Sequence, residues 1–177
     1  MEKEVFTVNL EKVIREMKLD RLYYPNKEVL IDTADLNRPG LQITGFFDYF
    51  DPSRIQVFGM VENTYLAGLS SEVRYNSLKR LFEKQISAVI LTRNSNASAE
   101  MLKLAEEFET PMLRTSQPTS SFTSSLNAYL NVELAPRITR HGVLVEVYGQ
   151  GVLILGESGV GKSETAVELI KLSLIHI

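Results

Sequence analysis

The sequence predicts an α/β protein: a mainly parallel sheet built from strand–helix–strand units, followed by the start of a second α/β domain. Three observations predict it. Short β-branched runs, above all AVILT at residues 88–92, alternate with helical stripes. A second apolar run, Val152-Leu153-Ile154-Leu155, leads into Gly156-Glu157-Ser158-Gly159-Val160-Gly161-Lys162-Ser163, the spacing of a Walker A loop. Between them the composition shifts to the Ser/Thr-rich TSQPTSSFTSS and then Ala135-Pro136, which places a domain boundary near residues 130–136.

The elements follow in order. Residues 5–8 form a short strand. Asn9 then caps a helix to Met17, with Leu10, Val13, Ile14 and Met17 on one stripe. Residues 28–31 and 41–44 have strand character and flank the turn-forming Asn37-Arg38-Pro39-Gly40. Residues 55–60 are another apolar run. Helical patterns cover 62–69, 72–85 and 98–108, the last with Met101, Leu102, Leu104, Ala105 and Phe108 inward. Residues 112–115 form a strand. The Ser/Thr-rich run serves as a connection and cap for a helix at 126–134, ended by Pro136. Val143, Val145 and Val147 alternate along a strand at 138–148, and Gly149-Gln150-Gly151 turns it into the strand before the loop.

Composition excludes several classes. Of 177 residues, 44% are hydrophobic and 23% charged, ordinary for a soluble domain. The net charge of −3 argues against a broad nucleic-acid footprint, which needs a basic stripe. With no cysteine there is no disulfide framework or thiolate metal site. The N-terminus lacks signal-peptide order, and no apolar run approaches the ~20 residues a membrane span needs. The expected location is cytoplasmic, without membrane or nucleic-acid partners.

The loop carries the chemistry. A triphosphate requires a nest of backbone N–H groups at a helix N-terminus, where the helix dipole is positive. Gly156, Gly159 and Gly161 are expected to supply positive φ angles and close backbone approach. Lys162 would reach the β- and γ-phosphates, and Ser163 would offer its hydroxyl to Mg²⁺. The competing reading is a glycine-rich turn that merely precedes a helix; the strand before it and ETAVELIK after it favour the phosphate loop. Asp32 ends an apolar run and is read as a strand-end residue. His141 begins the strand close in sequence to the loop. A lone histidine is commonly structural, yet imidazole exchanges protons near neutrality, so both readings stay open for it on pattern alone.

The run APRITRHGVLVEVYGQGVLILGESGVGKSETAVELIK resembles, almost position by position, the start of the catalytic domain of bacterial HPr kinase/phosphorylase. Arg54-Ile55-Gln56-Val57-Phe58-Gly59, the helix at 78–82, AVILTRN and Pro111-Met112-Leu113-Arg114-Thr115 resemble that family's N-terminal domain. The resemblance implies an N-terminal domain at 1–130 like a Mur-ligase substrate domain. It implies the start of a P-loop kinase domain like phosphoenolpyruvate carboxykinase at 131–171. It implies ATP and Mg²⁺ as cofactors and phosphorylation of a serine on HPr. The reverse reaction uses inorganic phosphate and releases pyrophosphate. It further implies control of carbon catabolite repression and a homohexamer. His141 matches the family's active-site histidine, and residues 156–163 match its nucleotide loop.

The family's general-base Asp, a Mg²⁺-binding Glu and a later signature loop have no counterpart here. After Lys171 the family pattern is replaced by Leu172-Ser173-Leu174-Ile175-His176-Ile177, a tail in which His176 is expected to be inert. The chain is therefore expected to be an inactive fragment. A GTPase-like switch is disfavoured because the loop follows a long separate domain. A non-catalytic binding or assembly module is the remaining alternative.

Overall fold

The computed structural model describes residues 6–137 and 139–174. The chain divides after Ala135 into two compact units.

The first unit is a five-stranded sheet with helices on both faces. Its strands are β2 (Asp20–Tyr23), β4 (Leu36–Asn37), β5 (Ile55–Phe58), β6 (Val89–Leu91) and β7 (Met112–Arg114), in the order β2-β7-β6-β5-β4. β4 to β7 are parallel and β2 is antiparallel to β7. A separate antiparallel pair joins β1 (Val8–Asn9) to β3 (Leu30–Ile31). Period-two alternation splits the core in two. Ile55, Val57, Ala88, Ile90 and Leu113 meet α1 (Leu10–Met17) and α5 (Thr119–Glu133). Phe58, Val89, Leu91 and Met112 meet α2 (Met60–Ala67), α3 (Ser71–Phe82) and α4 (Ala99–Glu107).

The mainly parallel α/β prediction holds, with local corrections. Asn9 caps α1 as expected, its side chain accepting from Glu11 N–H at 2.8 Å. Asp32 is exposed directly after β3. Residues 41–44 are not a strand. Gln42–Thr44 form a 3-10 turn closed by Gly45 at φ +103°, which buries Ile43 against Ser77 of α3. A four-residue apolar run does not distinguish the two. Of the Ser/Thr-rich run, residues 115–118 form the expected connection, but α5 starts at Thr119 rather than 126 and carries the rest. Two short strands, β2 and β4, carry no usable periodicity. Of the strand expected at 5–8, Val5 lies outside the described residues and Val8 belongs to β1.

A polar clamp fixes three helices. Arg74 of α3 donates from Nε (3.1 Å) and Nη2 (2.8 Å) to Glu100 of α4, and from Nη1 to the carbonyls of Leu66 (3.2 Å) and Leu69 (3.4 Å). Ser71 adds a hydroxyl at 2.8 Å. The Arg74 hydrogen bonds, helped by the Glu100 backbone and Ser71, hold the Glu100 carboxyl down at about 2. A lowered folded value means this stabilisation is complete above the ordinary carboxylate range and fades as pH falls towards 2. Arg74→Met is therefore expected to cost about 2 kcal/mol in urea unfolding at neutral pH. The cost should shrink in acid. An acid-independent cost would show that packing of the arginine stem, not the ion pair, is what was lost.

The second unit is a hairpin carrying one helix. β8 (Gly142–Val147) pairs antiparallel with β9 (Gln150–Leu155), from Gly142↔Leu155 to Val147↔Gln150. That register leaves two residues for the turn, Tyr148 (φ +51°) and Gly149 (φ +73°). Positive φ at both marks a type I′ connection. The turn expected at 149–151 is thus one residue earlier, with Gln150 and Gly151 in β9. Helix α6 (Lys162–Leu174) follows and packs against β8, burying Ala166. Leu144, Leu153 and Leu155 remain exposed on the hairpin. Ile138 and residues 175–177, including His176, lie outside the described residues.

Candidate phosphate-binding site

β9 delivers the chain to Gly156, and α6 begins six residues later at Lys162. The intervening loop bends through Gly159 (φ +83°) and Gly161 (φ +87°), conformations that glycine adopts without steric cost. Gly156 is different from the sequence expectation: it has no positive φ. Its requirement is space, because a Cβ there would lie 2.9 Å from Val160 Cγ2. Glu157, Ser158, Gly159, Val160 and Ser163 are exposed, so the loop is open to a ligand.

Lys162 is half-buried and folds back over the loop. Its Nζ donates to the Gly156 carbonyl at 2.8 Å and to the Glu157 carbonyl. The ammonium thus ties the first turn of α6 to the end of β9 and is held at the loop's centre. Thr165 continues the helix start, donating from both N–H (2.9 Å) and Oγ1 (3.0 Å) to Gly161 O. Ser163 presents its hydroxyl in the first turn of α6. Chemically this is an anion receptor: a helix N-terminus, a turn of glycines and one fixed cation.

The hairpin register puts His141 next to this receptor. Gly142 pairs with Leu155, so His141 stands one position beyond the last pair, beside the strand end where Gly156 begins. His141 is exposed. The glycine after it, which sequence reasoning passed over, is required sterically. A Cβ at Gly142 would meet Ile154 O at 2.8 Å, Leu155 Cδ2 at 2.9 Å and Leu153 Cδ1 at 3.0 Å. Among the described residues no cluster of His, Asp or Glu could hold a metal by itself. The Ser163 hydroxyl is an oxygen of the kind that a hard cation such as Mg²⁺ prefers. Among the described residues no helix is long and apolar enough to cross a membrane.

Comparison with known proteins decides the kinship. The model of the HPr Serine kinase N terminus matches residues 8–130, and that of the HPr Serine kinase C-terminal domain matches residues 132–175. The chain belongs to the HPr serine kinase family. The HPr kinase/phosphorylase of Caldicellulosiruptor bescii is 46% identical over 169 residues, covering 94% of this chain and 54% of that protein. Those of Streptococcus uberis and Streptococcus pneumoniae serotype 4 are each 45% identical, covering 93% and 94% of this chain and 54% of their own length. The chain therefore spans about half the length of the curated HPr serine kinase relatives it matches. A solved structure of the CBS and DRTGG domains of Clostridium perfringens pyrophosphatase aligns with 72% of this chain and 47% of its own, at TM-score 0.49 and 15% identity.

Proposed function

We propose that the protein containing this chain is an ATP-dependent kinase of a serine on HPr, and that it reverses the transfer with inorganic phosphate. The observation that carries this is the Lys162-centred loop with His141 one register step away, in a chain of the HPr serine kinase family. In the forward reaction the serine oxygen bonds to the γ-phosphorus and the bridging P–O bond to ADP breaks. The serine proton passes to a base outside this chain. In the reverse reaction inorganic phosphate attacks the phosphoserine phosphorus. Pyrophosphate leaves, and the serine hydroxyl is regenerated.

The residues at hand would bind and neutralise. Loop amides and the α6 N-terminus hold the β-phosphate, and Lys162 balances charge as it builds on the transferred group. The Ser163 hydroxyl would hold Mg²⁺, which when bound supplies charge neutralisation at the phosphates. His141 would act on the protonation of the missing Asp base. His141→Ala should accordingly displace the pH profile of both directions in the full-length protein; superimposable profiles would reduce His141 to a structural residue.

The finer readings belong to the same proposal. They are a Mur-ligase-like N-terminal domain over 1–130 and a kinase domain beginning at 131 with phosphoenolpyruvate carboxykinase as its likeness. They also include a cytoplasmic homohexamer that controls carbon catabolite repression. The chain alone should bind Mg·ATP without phosphorylating HPr, since it lacks the Asp. Incubation with labelled ATP, Mg²⁺ and HPr tests this: label should reach HPr with the full-length protein and not with this chain. Transfer by the chain alone would overturn the fragment reading. No transfer by either would overturn the kinase.

A further inference from the structure

Tyr148 occupies a position that turn chemistry gives to other residues. Type I′ turns favour Asn, Asp or Gly at the first central position, because a bulky side chain at positive φ is strained. Tyr148 nevertheless sits at φ +51° with 63% of its surface exposed. Burial does not explain it. Its hydroxyl makes a specific contact: Oη donates to the Leu172 carbonyl at 3.1 Å. That carbonyl belongs to the last described turn of α6.

The lengths make the contact possible. β9 spans six residues, about 20 Å at strand rise. Helix α6 turns back along the hairpin and covers roughly 16 Å between Lys162 and Leu172 at helical rise. The helix that opens at the phosphate loop thus reaches the hairpin turn. The loop joins one end of α6 to β9 covalently, and Tyr148 joins the other end through a hydrogen bond. The acceptor is backbone, so the side chain at position 172 is immaterial.

We infer that Tyr148 is a positioning residue: it anchors the far end of α6 and so fixes the direction in which the helix N-terminus and Lys162 meet a bound phosphate chain. This rests on the nucleotide-binding reading above.

The test uses the whole chain and two variants. Tyr148→Phe removes only the hydroxyl. Tyr148→Asn removes the tether while installing the residue that the turn prefers. Amide hydrogen exchange without nucleotide should speed up in both variants across 156–172, with 142–155 protected as in the parent. Mg·ADP and pyrophosphate should bind threefold to tenfold more weakly to both. A purely structural turn role predicts the opposite for Tyr148→Asn, namely parental affinity and equal or slower exchange, and that result overturns the inference. Unchanged exchange across 156–172 in both variants overturns it as well. If the parent chain binds neither ligand, the nucleotide-binding reading falls by itself, and the exchange result alone decides the anchor.

Discussion

Lys162→Ala in the full-length protein is expected to lower phosphate transfer to HPr by at least about 100-fold, the loss seen when one fixed electrostatic contact to a transition state is removed. The ammonium is the one loop group that carries a full positive charge, and it is already held over the loop by the carbonyls of Gly156 and Glu157. Exchanging those acceptors for phosphate oxygens needs little rearrangement. Alanine removes both the charge and the tie between β9 and α6. Global stability should fall by less than ~1 kcal/mol, because both acceptors belong to an exposed loop that water can solvate. Labelled-phosphate transfer to HPr and thermal unfolding, measured on the same preparation, separate the two effects. Turnover within a few-fold of the parent would remove Lys162 from the mechanism.

The loop was legible in the sequence because its chemistry admits few alternatives. Glycine is favoured where φ is as positive as at Gly159 and Gly161, and the motif sets Lys162 at a fixed spacing after them. Gly156 shows the limit of such reading. Its glycine was recognised, but its reason, the 2.9 Å approach of Val160, is a through-space contact that spacing does not encode. The steric demand at Gly142 and the Tyr148 contact with Leu172 were missed for the same reason. One matters because β9 passes close by, the other because α6 returns to the turn.

In the first unit, strands buried on both faces were found from their apolar runs, and helices from their stripes. The Ser/Thr-rich start of α5 was misread on composition. Two of its hydroxyls have defined partners: Thr119 pairs with Thr92 at 2.7 Å and Thr123 donates to Thr119 O at 2.9 Å. The helical signal was present as the four-residue spacing of Phe122, Leu126 and Leu130, all fully buried. Helix α2 was found, at 62–69 against the observed Met60–Ala67. It exposes Met60, Val61 and Tyr65 and buries Glu62, so its polarity runs against an amphipathic pattern.

Glu62 is also where the first unit should prove most sensitive to a single side-chain loss. Its Oε2 accepts from Arg38 Nη2 at 2.9 Å and from the Gly59 N–H at 2.8 Å, closing the N-terminus of α2. The carboxylate is buried while Arg38 is half-exposed. Burial pushes the Glu62 carboxyl up. The Arg38 hydrogen bond, the backbone N–H groups of Glu62 and Gly59, and the Arg38 charge together outweigh it and leave the value lowered. Glu62→Ala strands the Gly59 N–H in a site already crowded by Thr119 and Arg38, and should cost about 3 kcal/mol. Glu62→Gln keeps an acceptor for Gly59 and should cost less. The sign of the pH dependence follows from the lowered folded value. The carboxylate's contribution is complete above the ordinary glutamate range and is lost as pH falls below it towards the lowered folded value. The gap between parent and Glu62→Gln should therefore be full at neutral pH and close in acid. Urea midpoints for the three proteins at pH ~7 and pH ~3.5, bracketing the free carboxylate value, measure it. A Glu62→Ala protein within ~0.5 kcal/mol of the parent at neutral pH would mean that water reaches Gly59 and that the buried carboxylate holds nothing together.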